Sequence, residues 1–205
     1  MILALAVILG LAVSLARNRG QTFSLLADIP LRSAWLVIPA LAMQYPLLRA
    51  PFGPTQQMGI QQAVFLLSHL LLLVFVWRNR RLVGIQIVGL GILCNLVVIL
   101  VNGGFMPITP ETLVRINPGT TLGINPGTTL GIWELGFHYG FSKDVILLRG
   151  ATNLWPLSDV LVLPPPFPWP TAFSLGDLLI AAGIVVLLQG PIGWTESVLA
   201  KACTT

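Results

Sequence analysis

Two apolar runs, Met58 to Trp77 and Leu82 to Val101, follow one another with only Arg78, Asn79, Arg80 and Arg81 between them. Each has about the 20 residues that an α-helix needs to cross a hydrocarbon layer of roughly 30 Å. Neither contains Asp, Glu, Lys or Arg. The composition points the same way. The 205 residues are 55% hydrophobic and only 9% charged, whereas a soluble domain carries about 25% charged residues to stay in water. Most of the surface must therefore face lipid or other protein. One membrane domain over residues 1–205 accounts for the length.

Three further apolar stretches accompany these two. Residues 1–16 and 34–48 are short for a span, and the second carries Pro39 and Pro46, which predict a kink. Residues 171–189 are of spanning length. With 58–77 and 82–101, they predict an all-α integral membrane protein of about five transmembrane helices. Short spans are met by bilayer thinning or by packing against partners. The first stretch is no secretory signal by its pattern: its basic residues, Arg17 and Arg19, follow the apolar run instead of preceding it.

Cationic residues orient the chain. Arg17, Arg19 and Arg32 fall in the first inner loop, Arg78, Arg80 and Arg81 in a very tight second one, and Lys201 on the C-terminal tail. The positive-inside rule then puts the N-terminus out and the C-terminus in, as a multi-pass protein of the cytoplasmic membrane. This clustering at the ends of apolar runs explains the net charge of +4 without nucleic acid. Ser24 to Leu31 and Trp194 to Ala202 read as amphipathic segments at the inner interface. Cys94 and Cys203 lie mid-helix and near the C-terminus, so no disulfide between them is expected; no C-x-x-C occurs.

Residues 102–170 form a long extracytoplasmic loop rich in Pro and Gly. Asn102-Gly103-Gly104 suits a left-handed helix end. Thr109, Pro110 and Glu111 read as N-cap, first residue and first-turn acid of a short helix. The octapeptide Ile-Asn-Pro-Gly-Thr-Thr-Leu-Gly stands twice in tandem over residues 116–131, too few copies for a solenoid. It reads as a duplication that a turn-rich loop tolerates. Residues 164–170, Pro-Pro-Pro-Phe-Pro-Trp-Pro, predict extended polyproline-like chain with aromatic rings at the interface.

Few residues carry chemistry. His69 lies near the middle of the third span, where an ionisable side chain is a candidate site by default. A neutral imidazole there could ligate a chlorin magnesium or a haem iron. The simpler expectation is a neutral histidine bonded to a neighbouring helix or to its own backbone, with no resident cofactor and no metal. Ser68 beside it is not a catalytic partner, since adjacent helical residues diverge by about 100°. Gly84, Gly91, Asn95 and Asn102 share one helical face, a packing seam of small and amide residues. Gln44 and Gln86 are candidates for hydrogen bonds between helices. Ser174 and Asp177 read as a capping box at the start of the last span, with Phe173 and Leu178 as its staple. His138, Asp159, Ser174 and Asp177 are the polar candidates of the outer face, though their spacing does not show that they meet.

The order of several motifs resembles a family of small bacterial multi-helix membrane proteins characterised only as a domain of unknown function. The matching residues are Leu26-Ala27-Asp28-Ile29 before Trp35, Gln44, Asn102-Gly103-Gly104 with Met106-Pro107, His138, Leu157-Ser158-Asp159, and Phe173-Ser174-Leu175-Gly176-Asp177. The tandem octapeptide departs from that pattern. The resemblance implies a topology and a set of polar positions, but no activity. The preferred functional expectation is a non-catalytic accessory subunit of a larger membrane complex, of a respiratory or photosynthetic electron-transfer kind, with other membrane subunits and lipids as partners. The alternative is a small membrane protein that binds or transports a lipid, quinone or pigment. A membrane enzyme using His138, Asp159 and Asp177 ranks third.

Overall fold

The structure is a computed structural model that describes residues 2–17, 26, 29–44, 59–118, 135–136 and 144–190. In chain order the elements are α1 (Ile2–Arg17), a 3-10 turn (Ala34–Leu36) leading into α2 (Val37–Gln44), α3 (Gly59–Arg78), α4 (Val83–Val101), β1 (Met106–Ile108), α5 (Pro110–Ile116), β2 (Asp144–Ile146), two 3-10 turns (Arg149–Ala151 and Trp155–Leu157), β3 (Leu161–Leu163), β4 (Thr171–Phe173) and α6 (Leu175–Leu187). The fold is mostly helical, and α3 and α4 are the two helices long and apolar enough to cross a membrane among the described residues. Residues 58–77 and 82–101 thus form helices almost where the apolar runs place them.

The other three stretches make shorter helices. The run at 1–16 becomes α1, and of the run at 34–48 the structure describes 34–44 as helix, while Pro46 lies outside the described residues. The run at 171–189 is not one continuous helix. Its first three residues pair as β4 with β3, antiparallel, Leu161 opposite Phe173 and Leu163 opposite Thr171. The 13 residues of α6 then span only about 20 Å at 1.5 Å per residue. Apolar content alone could not separate strand from helix here, because Thr171, Ala172 and Phe173 suit a pleated strand as well as a helix start.

Residues 102–170, expected as a loop with one short helix, contain that helix as α5 and strands besides. They hold three short strands, β1, β2 and β3, and β4 follows directly at Thr171–Phe173, so the protein is not purely α. β1 and β2 pair in parallel, Met106 opposite Asp144 and Ile108 opposite Ile146, with α5 in the connection. The prolines at 164–170 do not run as extended polyproline. Pro165–Pro166 is cis, and the Phe167 N–H donates to Pro164 O at 3.1 Å, the four-residue turn with cis-proline at its third position. It closes the β3–β4 hairpin. The tandem octapeptide falls largely outside the described residues; Ile116 ends α5 and Asn117 is its C-cap.

The described residues group into two compact units. The first comprises residues 1–37, 71–93 and 176–205, the second residues 38–70 and 94–175. In the first, helices meet through small residues. Ala6, Gly10 and Ser14 are the buried stripe of α1, and Gly176, Ala181 and Gly183 that of α6. A Cβ on Gly10 would stand 2.7 Å from Leu188 Cδ1, and one on Gly183 only 2.6 Å from Gly84 O. Leu36, Phe75, Leu82 and Ile85 form the apolar cluster of this unit.

The second unit is built around larger side chains. Phe65, Val98, Ile99, Phe105, Met106 and Val145 form one cluster, and Ile108, Leu113, Ile116 and Ile146 another beneath α5. Local signals place these elements. Gly103 and Gly104 take φ of 84° and 93°, and the Gly104 N–H donates to Ile99 O at 2.8 Å, the bond that ends a helix in a Schellman turn. Thr109 caps α5, its side chain accepting from Thr112 N at 3.4 Å, and Pro110 opens the helix with the fixed φ that position favours.

Candidate functional site

The last residue of α2, Gln44, meets polar groups at the middle of α3. Gln44 Nε2 donates to Ser68 Oγ at 2.9 Å, and Ser68 Oγ donates to Phe65 O at 2.6 Å. His69 Nδ1 stands 2.9 Å from the same carbonyl, so Nδ1 carries the proton and the ring is held in one tautomer by its own helix. Its edge packs on the Phe65 ring, centroids 4.6 Å apart and planes at 79°, and Phe65 stacks in turn on Phe105. The imidazole is 7% exposed. This arrangement satisfies Ser68 and orients His69 as a fixed, buried side chain. The cluster can bind helix to helix without any catalytic step.

Along α4 the small and amide residues meet different neighbours. A Cβ on Gly84 would lie 2.7 Å from both Gly183 O and Leu187 N, and one on Gly91 would run into Gly176 O; both glycines face α6. Asn95, 3% exposed, accepts a 2.8 Å bond at Oδ1 from Ser174 Oγ, which is fully buried. Asn102 closes the helix end: Nδ2 donates to Val98 O and to Asn153 O, each at 2.8 Å, and Asn153 N donates back to Oδ1 at 2.8 Å. Gln86 does not reach another helix; its Nε2 donates to Arg80 O at 2.7 Å, within the preceding turn.

The outer-face candidates do not form one described constellation. His138 lies outside the described residues. Asp159 is buried at 2% exposure beside β1, its N–H donating to Pro107 O at 3.2 Å. Asp177 is half-buried in the first turn of α6, where a negative charge favours the helix terminus. Ser174 sits between β4 and α6 and sends its hydroxyl proton to Asn95. Among the described residues no group of three or more His, Cys, Asp or Glu stands close enough to hold a metal ion. A small cleft of about 130 Å³ is lined by Thr109, Glu111, Thr112, Arg115, Arg149, Trp155 and Val160, with the Arg149 guanidinium 3.8 Å above the Trp155 ring.

The reading of the sequence passed over Asn79. Its Oδ1 accepts from Arg32 N at 2.6 Å, while its Nδ2 donates to Arg32 O and Phe75 O at 2.7 and 2.8 Å. An amide just past the last helical residue is a C-cap signal, here hidden among arginines. Arg149, Trp155 and Asn153 were also missed, and nothing in their spacing marks them.

The fold therefore defines a mostly helical, strongly apolar protein with two membrane-length helices, four short strands and the short helix α5. The chain belongs to a family of unknown function, DUF5317, which matches residues 28–189. The motifs quoted above, from Asp28 to Asp177, fall within that match apart from the first residues of Leu26-Ala27-Asp28-Ile29. No curated protein and no solved structure matches the chain.

Proposed function

We propose that the protein is a non-catalytic multi-pass subunit of a membrane assembly, with five apolar segments in the bilayer, N-terminus out and C-terminus in. One observation carries the membrane part of this reading. α3 is strongly apolar, yet only 22% of its apolar stretch is buried, with Ile60, Leu67, Leu70, Val74 and Trp77 exposed. The core helix of a soluble protein would have covered those side chains, and water would penalise the face they form. Leu3, Ile8 and Leu9 of α1 and Leu90, Leu93, Val97 and Leu100 of α4 are exposed in the same way. The short α1, α2 and α6 fit the bilayer through local thinning or a neighbouring subunit.

The accessory role is supported by what the polar residues do. Gln44, Ser68, Asn79, Asn95, Asn102 and Ser174 all bond to backbone or to one another. These contacts hold shape. Ser68 Oγ comes within 3.5 Å of His69 Nδ1, but that nitrogen is bonded to Phe65 O and is not free to act as a base. Carbonate washing of membranes followed by mild-detergent purification and mass spectrometry tests the proposal. Retention in the washed membrane and recovery with a second membrane protein are expected. Release by carbonate would remove the membrane reading, and recovery as a monomer alone would remove the assembly reading.

A further inference from the structure

The turn between α3 and α4 gathers charge from two distant parts of the chain. Asn79 binds both the N–H and the C=O of Arg32, which fixes that exposed arginine beside Arg78, Arg80 and Arg81 although 47 residues separate Arg32 from Asn79. Arg78 Nη1 donates to Ser33 Oγ at 2.7 Å. The Arg80 guanidinium lies 4.1 Å over the Trp77 ring, and the side chain is exposed. Trp77 and Trp35 are 69% and 64% exposed, the amphipathic rings that favour headgroup level. The one described carboxylate of this unit is Asp177, in the first turn of α6.

We propose that this patch (Arg32, Arg78, Arg80 and Arg81, rimmed by Trp35 and Trp77) is a binding site for the headgroup of an anionic phospholipid. Four guanidinium groups present planar donor edges that match phosphate oxygens, and basic clusters next to membrane helices attract anionic lipid at about fivefold in affinity per charge. The tryptophans set the depth at which glycerol and phosphate meet the arginines. An anionic lipid supplies a counter-charge to arginines whose hydrogen bonds, among the described residues, include none to a carboxylate. The proposal rests on the membrane reading above and is separable from it by experiment.

The test uses the full chain in detergent, titrated with phosphatidylglycerol or with phosphatidylcholine and followed by native mass spectrometry. Tighter binding of phosphatidylglycerol is expected. An Arg80→Gln/Arg81→Gln variant should weaken it about 25-fold, an Arg80→Lys/Arg81→Lys variant should retain most of it, and Arg115→Gln should leave it unchanged. Equal binding of the two lipids would overturn the proposal, as would equal losses in the Gln and Lys variants. Displacement of the lipid by millimolar inorganic phosphate would also overturn it, pointing to a free-anion site. The membrane reading is judged by carbonate washing alone, so a negative lipid result leaves that reading standing.

Discussion

The two units hold together by different means. In the first, backbones approach through Gly10, Gly84, Gly91 and Gly183, beside a cluster of Leu36, Phe75, Leu82 and Ile85. In the second, Phe65, Ile99, Met106, Leu113 and Ile146 fill an interior that is closed to 1% exposure or less. The contrast follows from the surroundings proposed for each helix face. Lipid is as apolar as leucine, so burying leucine between two membrane helices gains little, and close van der Waals approach takes over. Where water competes, large apolar side chains supply the driving force. The strands and α5 follow that second rule although they belong to so apolar a chain.

Substitutions can break or sharpen this contrast. The largest effect is expected from Leu113→Ala, which empties a fully buried site beneath α5. It should cost about 2–5 kcal/mol, read as a shift in denaturant or thermal unfolding; a loss below about 1 kcal/mol would mean that this interior is not close-packed. Gly84→Ala is next. Its Cβ would press on Gly183 O and Leu187 N, backbone atoms that cannot rotate away. Overpacking of this kind costs about 1–3 kcal/mol, partly offset by the helix propensity of alanine. Gly183→Ala should behave alike, and the double variant should cost less than the sum, because one opening of the helix pair relieves both. Additive losses would show that the two glycines do not meet.

Smaller effects belong to the polar contacts. Ser174→Ala removes the donor to Asn95 Oδ1, and bonds of this kind between membrane helices average about 0.6 kcal/mol, whereas a buried acceptor left unpaired in a dry core costs about 1–3 kcal/mol. A measured loss near the lower figure places Asn95 in a membrane-like setting; one near the higher places it in the water-driven interior. Thr109→Ala should cost about 1 kcal/mol through loss of the α5 cap. Amide hydrogen exchange at Thr112 would show it, and unchanged protection would exclude the cap as a source of stability.

These features were unequally legible in the sequence. Long-range length and short-range caps both came through. Twenty uncharged residues define α3 and α4 within one residue at each end, and Gly103 and Thr109 mark turns whose geometry depends on neighbours a few residues away. The strands did not come through. Met106–Ile108 pairs with Asp144–Ile146 across a connection that includes α5, and three residues are too few for a period of two to show. Thr171–Phe173 was merged with the helix that follows because both are apolar. The polar sites were legible in part. Gly84, Gly91 and Asn95 stood out by spacing, while Asn79 looked like one more loop residue until its partner at Arg32 was visible.

That pairing of Asn79 with Arg32 distributes information unevenly. The side-chain amide reads only the peptide of residue 32, offering one donor and one acceptor as a neighbouring strand would. For folding, position 32 is therefore an address without a letter: any residue other than proline presents the same N–H and C=O. Position 79 is the reverse. Aspartate keeps the acceptor and loses the donor, glutamine adds a methylene that moves both, and only asparagine reproduces the match. Where function spares Arg32, sequences sharing this fold should drift freely at 32 while 79 stays fixed.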